Sequence, residues 1–111
     1  MATPQQGGSA VDAEVTHSDG VTTVRLAGEI DTYTVPDLRR AFEKVTTGQK
    51  VVVDLRGVTF LDSSGLGAII GLHRRVVEDG GHLELVCTGM PLQLVRLMSL
   101  DQVIDVVPVA C

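Results

Sequence analysis

Three polar residues in a row, Asp62, Ser63 and Ser64, stand between an apolar run and a helical pattern in the segment Val58 to Gly67, VTFLDSSGLG. A serine hydroxyl can act as a nucleophile beside a base, as a helix cap, or as a phosphate acceptor. The first use finds no support. The G-x-S-x-G elbow is missing because Leu61, not glycine, lies two before Ser63, no Walker loop occurs, and His17, His73 and His82 are scattered. The chain is therefore not expected to be an enzyme. Two readings stay open for the segment. Asp62 or Ser63 could do no more than cap orphan N–H groups, with Gly65 and Gly67 allowing close packing. Alternatively, a hydroxyl at a helix N-terminus lies where backbone N–H groups and the helix dipole accommodate a dianionic phosphate.

Asp54, at the end of the run Val51 to Leu55, suggests a phosphoaspartate receiver. That site would need a further acidic pair after the first strand and a late lysine, and no lysine follows Lys50. Cys87 and Cys111 show no CxxC or His-paired spacing, so they are read as two free thiols that stay reduced, with neither metal nor cofactor implied.

The elements that would position Ser63 follow from periodicity. Val11 to Ser18 and Val21 to Ala27 roughly alternate apolar and polar residues across the turn signal Asp19-Gly20, which predicts a hairpin. Thr34 as cap, Pro36 in the first turn, and Leu38, Ala41, Phe42 and Val45 at helical spacing predict a helix that ends before Gly48. Val51, Val52, Val53 and Leu55 form a short apolar run expected as a central strand covered by helices on both faces. A second helix carries Leu66, Ile69, Ile70, Leu72, His73, Val76 and Val77 and stops at Gly80-Gly81. Leu83, Leu85 and Val86 read as a strand, Pro91 opens a third helix with Leu92, Leu94, Val95, Leu97 and Met98, and Val103 to Val107 reads as the last strand. The order predicts an α/β single domain with a mixed sheet and helices packed beside it. Open sheets of this kind carry their functional groups at the carboxyl ends of strands, where Ser63 falls.

Composition sets the surroundings. The 111 residues suffice for one domain. Residues 1–10 are polar and are expected as a flexible tail ahead of a domain at 11–109. Hydrophobic residues make up 44% and aromatics only 3%, so the core must be aliphatic. A net charge of −5 with few adjacent basic residues speaks against nucleic acid. With no apolar run of bilayer length and no signal-peptide pattern, no membrane is expected and the location is read as cytoplasmic.

The stretch Val53 to Gly71, VDLRGVTFLDSSGLGAIIG, together with Gly28-Glu29-Ile30-Asp31 before Thr34, Val35 and Pro36, resembles the anti-sigma factor antagonists of the STAS domain family over roughly Val11 to Val107. One departure is the Ser99-Leu100 pair, where the family often has glycine and leucine after the third helix. The resemblance implies a STAS-like fold and a partner-switching cycle. The unphosphorylated antagonist would bind an anti-sigma factor of the serine kinase type and free the sigma factor. Phosphorylation on Ser63 would switch binding off, and a protein phosphatase would restore it. The resemblance also implies that the catalytic groups belong to the kinase, that Asp62 serves loop geometry and recognition, and that Asp31 lies near Ser63. Asp31, Asp62, Ser64 and Gly65 are then the expected partner-binding residues. An alternative reading of Asp31 is a turn aspartate bonding its own backbone, and Ser64 is the rival for the phosphate. A passive or ligand-sensing STAS module would share the fold. Because the family usually ends in a further helix, apolar surface is expected near Val103, Ile104 and Val106, which a partner or a second copy in a weak homodimer could cover.

Overall fold

Two strands joined by a tight turn open the fold. In the computed structural model, which describes residues 11–109, β1 (Val11–Ser18) pairs antiparallel with β2 (Val21–Ile30). The turn between them holds Asp19 and Gly20 at φ of 52° and 77°, the left-handed conformation that glycine and, less often, aspartate adopt. There follow α1 (Val35–Phe42), β3 (Lys50–Leu61), α2 (Ser63–Glu78), β4 (His82–Cys87), α3 (Gly89–Leu97), a 3-10 turn (Leu100–Gln102) and β5 (Asp105–Pro108). The five strands form one sheet in the order β1-β2-β3-β4-β5, with β2 to β5 parallel. The expected mixed α/β architecture is thus observed. The expected tail at residues 1–10 lies outside the described residues, as does Cys111.

Successive side chains of a strand point to opposite faces, and the two faces of this sheet differ sharply. Val24, Leu26, Val51, Val53, Leu55, Leu83 and Leu85 are buried on one, together with Leu38 and Phe42 of α1, Leu66, Ile69, Leu72 and Val76 of α2, and Val95 of α3. The other face carries Thr23, Arg25, Val52, Glu84 and Val86, all exposed or half-buried. The strand Val51 to Leu55 is therefore covered on one face and not on both. The reason is topological: all three crossovers step the same way across the sheet, and right-handed crossovers that do so lay their helices on one side.

The open face is kept from being an apolar patch by ion pairs. Asp54, only 5% exposed, takes Nε and Nη2 of Arg56 at 3.0 and 2.8 Å, with Arg25 of β2 at 3.7 Å. The Arg56 hydrogen bonds, outweighing burial, hold the Asp54 carboxyl below the usual range. Asp54 lies in the middle of β3, with six strand residues between it and Leu61 at the strand's end. Its place is thus a structural ion pair, not the strand-end position a phosphoaspartate would need.

Three further features differ from expectation. Strand β3 runs on to Leu61, because β2 extends to Ile30 and supplies partners for Gly57, Val58, Phe60 and Leu61. Val45 is buried but lies beyond α1, which ends at Phe42. Of the residues expected to expose apolar surface, Ile104 is buried and Val106 half-buried, while Val103 is 68% exposed. The 3-10 turn carries Ile104 back toward α3, its N–H donating to Leu100 O at 2.8 Å.

Candidate functional site

Strands β2 and β3 end level with each other, Ile30 opposite Leu61, and the chain leaves each into a loop. The Asp62 N–H donates to Ile30 O at 3.2 Å, so the loops following the two strands are joined at their roots. The approach is close. A β-carbon at Gly65 would lie 2.5 Å from Ile30 Cγ2 and 2.6 Å from Leu61 Cδ1, well inside van der Waals contact. Gly65, expected at the partner surface, is instead buried, and it shapes the site from within.

Asp62 is the N-cap of α2, with extended backbone at φ −111° and ψ −175°. Its Oδ1 accepts from the Ser64 and Gly65 N–H groups at 3.0 and 3.2 Å and from the Ser64 hydroxyl at 2.5 Å. The Ser64 hydroxyl contributes most to holding the Asp62 carboxyl below its ordinary pKa, and the two N–H groups add to it. Between the two capping options, Asp62 or Ser63, the structure selects Asp62.

This cap has two consequences. Ser64 is half-buried with its hydroxyl committed, whereas Ser63, the first residue of the helix, is exposed, and no hydrogen bond among the described residues uses its hydroxyl. Moreover, the N–H groups expected to cradle a phosphate are already occupied by a carboxylate. A phosphate on Ser63 would meet Asp62 as a neighbouring anion and not an empty anion cradle.

The loop after β2 is equally ordered. Asp31 Oδ1 accepts from Tyr33 N at 2.9 Å and Thr34 N at 3.1 Å, a turn in which aspartate bonds its own backbone. Thr34, expected to cap α1 with its side chain, makes no such bond. Its buried hydroxyl points the other way, donating to Glu29 O at 3.0 Å and accepting from Asp31 N at 2.9 Å. Thr34 thus pins the Asp31 turn, a role that its sequence position disguised as capping. Asp31 stands beside the Ser63 loop through the Ile30–Asp62 link, but its carboxylate is engaged in its own turn. Two aromatic side chains that the sequence analysis did not single out are exposed at this end of the sheet: Tyr33, 91%, and Phe60, 43%.

The histidines are differently employed. His17 meets Thr22 at 3.0 Å, His82 meets Asp105 at 3.1 Å, and burial, with His82 nearby, lowers the pKa of His73.

Comparison with known proteins gives a consistent picture. The family model of the STAS domain matches residues 12–109. An anti-sigma F factor antagonist of Paenibacillus polymyxa is 29% identical over 99 residues, covering 86% of this chain and 83% of the relative. An anti-sigma-B factor antagonist of Listeria monocytogenes is 34% identical over 86 residues, covering 76% and 74%. Among solved structures, an anti-sigma factor antagonist from Mycobacterium paratuberculosis superposes with a TM-score of 0.81 at 29% identity, covering 89% of this chain and 86% of that one. The Bacillus cell fate determinant SpoIIAA in its phosphorylated form matches in fold, with a TM-score of 0.68 at 18% identity over 89% and 92% of the two chains.

Proposed function

The chain belongs to the STAS domain family, and on that premise we propose that it is a cytoplasmic anti-sigma factor antagonist switched by phosphorylation of Ser63. In the unphosphorylated state the loops around Asp31, Asp62 and Ser64 bind an anti-sigma factor of the serine kinase type, which releases its sigma factor. The kinase then moves the terminal phosphoryl group of ATP onto Ser63 Oγ; the hydroxyl proton leaves to a base of the kinase and ADP departs. A protein phosphatase hydrolyses the ester and restores the binding form. The names of the relatives, antagonists of anti-sigma factors, support the first half of the cycle.

The observation that carries the second half is the contrast between the adjacent serines. Ser63 is exposed and its hydroxyl is uncommitted among the described residues, while that of Ser64 is held by Asp62 at 2.5 Å. A kinase reaching this loop meets Ser63 first. Phosphorylation adds about −1.5 to −2 charges beside Asp62, whose carboxyl is held ionised. Because that carboxylate fills the Ser64 and Gly65 N–H groups, the new charge stays on the surface, where a partner must desolvate it. A coupling of about 3 kcal/mol weakens binding roughly 150-fold.

Incubation with ATP and purified serine-kinase-type anti-sigma factors of the same genome, followed by mass spectrometry, tests this. Phosphate is expected on Ser63, Ser64→Ala should remain a substrate, and Ser63→Ala should bind constitutively. Phosphate on Ser64 alone, or undiminished binding by the phosphorylated chain, would overturn the proposal.

A further inference from the structure

The chain has no tryptophan, one tyrosine and two phenylalanines. Only Phe42 is in the core; Tyr33 is 91% exposed and Phe60 43% exposed. A chain this poor in aromatics gains most by burying the few it has, since each ring can remove some 150–250 Å² from water. Yet the two left out belong to neighbouring segments, Tyr33 in the loop after β2 and Phe60 two residues before Asp62 at the end of β3. The pairs Glu29–Phe60 and Ile30–Leu61, and the Asp62 N–H to Ile30 O bond, hold those segments side by side.

The backbone of Tyr33 is also built into place. Its N–H is held by Asp31 Oδ1 at 2.9 Å, the same carboxylate takes Thr34 N, and the buried Thr34 hydroxyl anchors the turn to Glu29 O. A residue left outside merely for lack of room in the core would need no such support. An aromatic side chain with only two torsions on a fixed backbone costs little entropy to dock, which is why tyrosine and tryptophan dominate the energetic centres of interfaces.

Charge identifies what docks. Glu29, Asp31 and Asp62 are the charged side chains of the two loops and their roots, and all are acidic. A surface complementary to them carries arginine or lysine around apolar sockets, and a guanidinium also stacks well on tyrosine and phenylalanine.

We propose that Tyr33 and Phe60 are the aromatic anchors through which the chain grips its protein partner, a surface with two apolar sockets set among basic side chains, at the end of the sheet that also carries the Ser63 loop. This rests on the partner-switching reading above and adds to it. Affinity comes from the rings and sensitivity to phosphate from Ser63, so the two can be separated by mutation. Asp31 then works as a positioning residue for Tyr33.

The test uses the full chain, unphosphorylated, titrated calorimetrically against the purified serine-kinase-type anti-sigma factors of the same genome. Tyr33→Ala should weaken binding by about 30-fold or more, the effect of a hot-spot residue, whereas Tyr33→Phe should stay within about threefold. Phe60→Ala should weaken it comparably, with a thermal melt to show that the half-exposed ring was not needed for folding. Val77→Ala, on the exposed side of α2, is a control expected to change nothing. Wild-type affinity in both Tyr33→Ala and Phe60→Ala, alongside loss of binding in Ser63→Glu, would overturn the anchors and leave the switch standing. A wild-type chain that binds none of the anti-sigma factors would overturn both. Loss in Tyr33→Ala with full binding by the phosphorylated chain would keep the anchors and remove the switch.

Discussion

At the scale of single residues, the division of labour between Asp62, Ser63 and Ser64 decides what the loop can do. Asp62 and Ser64 hold each other and the first turn of α2, which leaves Ser63 as the group on offer. Removing the cap should cost stability in proportion: Asp62→Ala is expected to destabilise by about 1 kcal/mol, with Asp62→Asn closer to wild type, both read from urea unfolding at neutral pH. The sign with pH follows from the lowered pKa. In the folded chain the Asp62 carboxyl titrates below its unfolded value of about 3.9. Its contribution is complete above that value and is lost as pH falls through the folded pKa. The gap between wild type and Asp62→Asn should therefore close in acid; a gap that widens there would show that the carboxylate is not the stabilising form. That one of Asp62 and Ser63 caps the helix was legible, because short polar residues before a helical pattern mark an N-cap. Which of them does so was not, since a helix starting one residue later would be capped equally well by Ser63, and the choice falls to the strand that delivers them.

At the scale of elements, β2 and β3 set the position of the loop, and their far halves were the least legible part of the fold. Arg56 and Gly57 look like the end of a strand, and from Leu55 onward the buried residues, Leu55, Val58 and Leu61, are three apart, a spacing closer to a helix than to the period of two. The cause is irregular pairing: the register between β2 and β3 shifts twice, between Arg25 and Ala27 and between Gly28 and Glu29. Such bulges cannot be seen in one strand's sequence, because they belong to the pair. Two glycines of α2 let this packing be probed. Gly65→Ala must force Ile30 or Leu61 aside and is expected to cost about 1–3 kcal/mol, the usual penalty of overpacking. Gly67→Ala faces open space and should stabilise by up to about 1 kcal/mol through helix propensity. Thermal denaturation of both variants decides the point, and equal effects would mean that the Ile30–Leu61 contact does not constrain the helix entry. The ion pairs of the open face make a second case. Arg56→Ala leaves the nearly buried Asp54 with only Arg25 at 3.7 Å and the residue 56 N–H. A loss of stability is expected at neutral pH, shrinking in acid, where Asp54 takes up a proton and no longer needs the guanidinium.

At the scale of the whole molecule, one aliphatic core lies between the sheet and its helices, as the scarcity of aromatic residues required. The sequence could not show that this core has a single covered side. A run of β-branched residues signals burial but not on how many faces, and Val52 is in fact only half-buried. Cys87 reports on the integrity of this core because it lies within it, on β4 between β3 and β5, its carbonyl accepting from Val109 N at 2.9 Å. Burial, with the Asp54 charge adding to it, pushes the thiol up to about 12. At pH 8 only about one molecule in ten thousand would then carry the reactive thiolate, and that one would be out of reach. In a Cys111→Ser chain, where Cys87 is the only thiol, a disulfide reagent should leave the native protein unmodified for hours and react stoichiometrically once urea unfolds it. The modification rate below the midpoint should then follow the global unfolding free energy, since nothing short of opening the sheet exposes the sulfur. Rapid, complete labelling in the absence of denaturant would instead show that β5, four residues long at the edge of the sheet, detaches on its own, and that the molecule opens locally at the side far from β1.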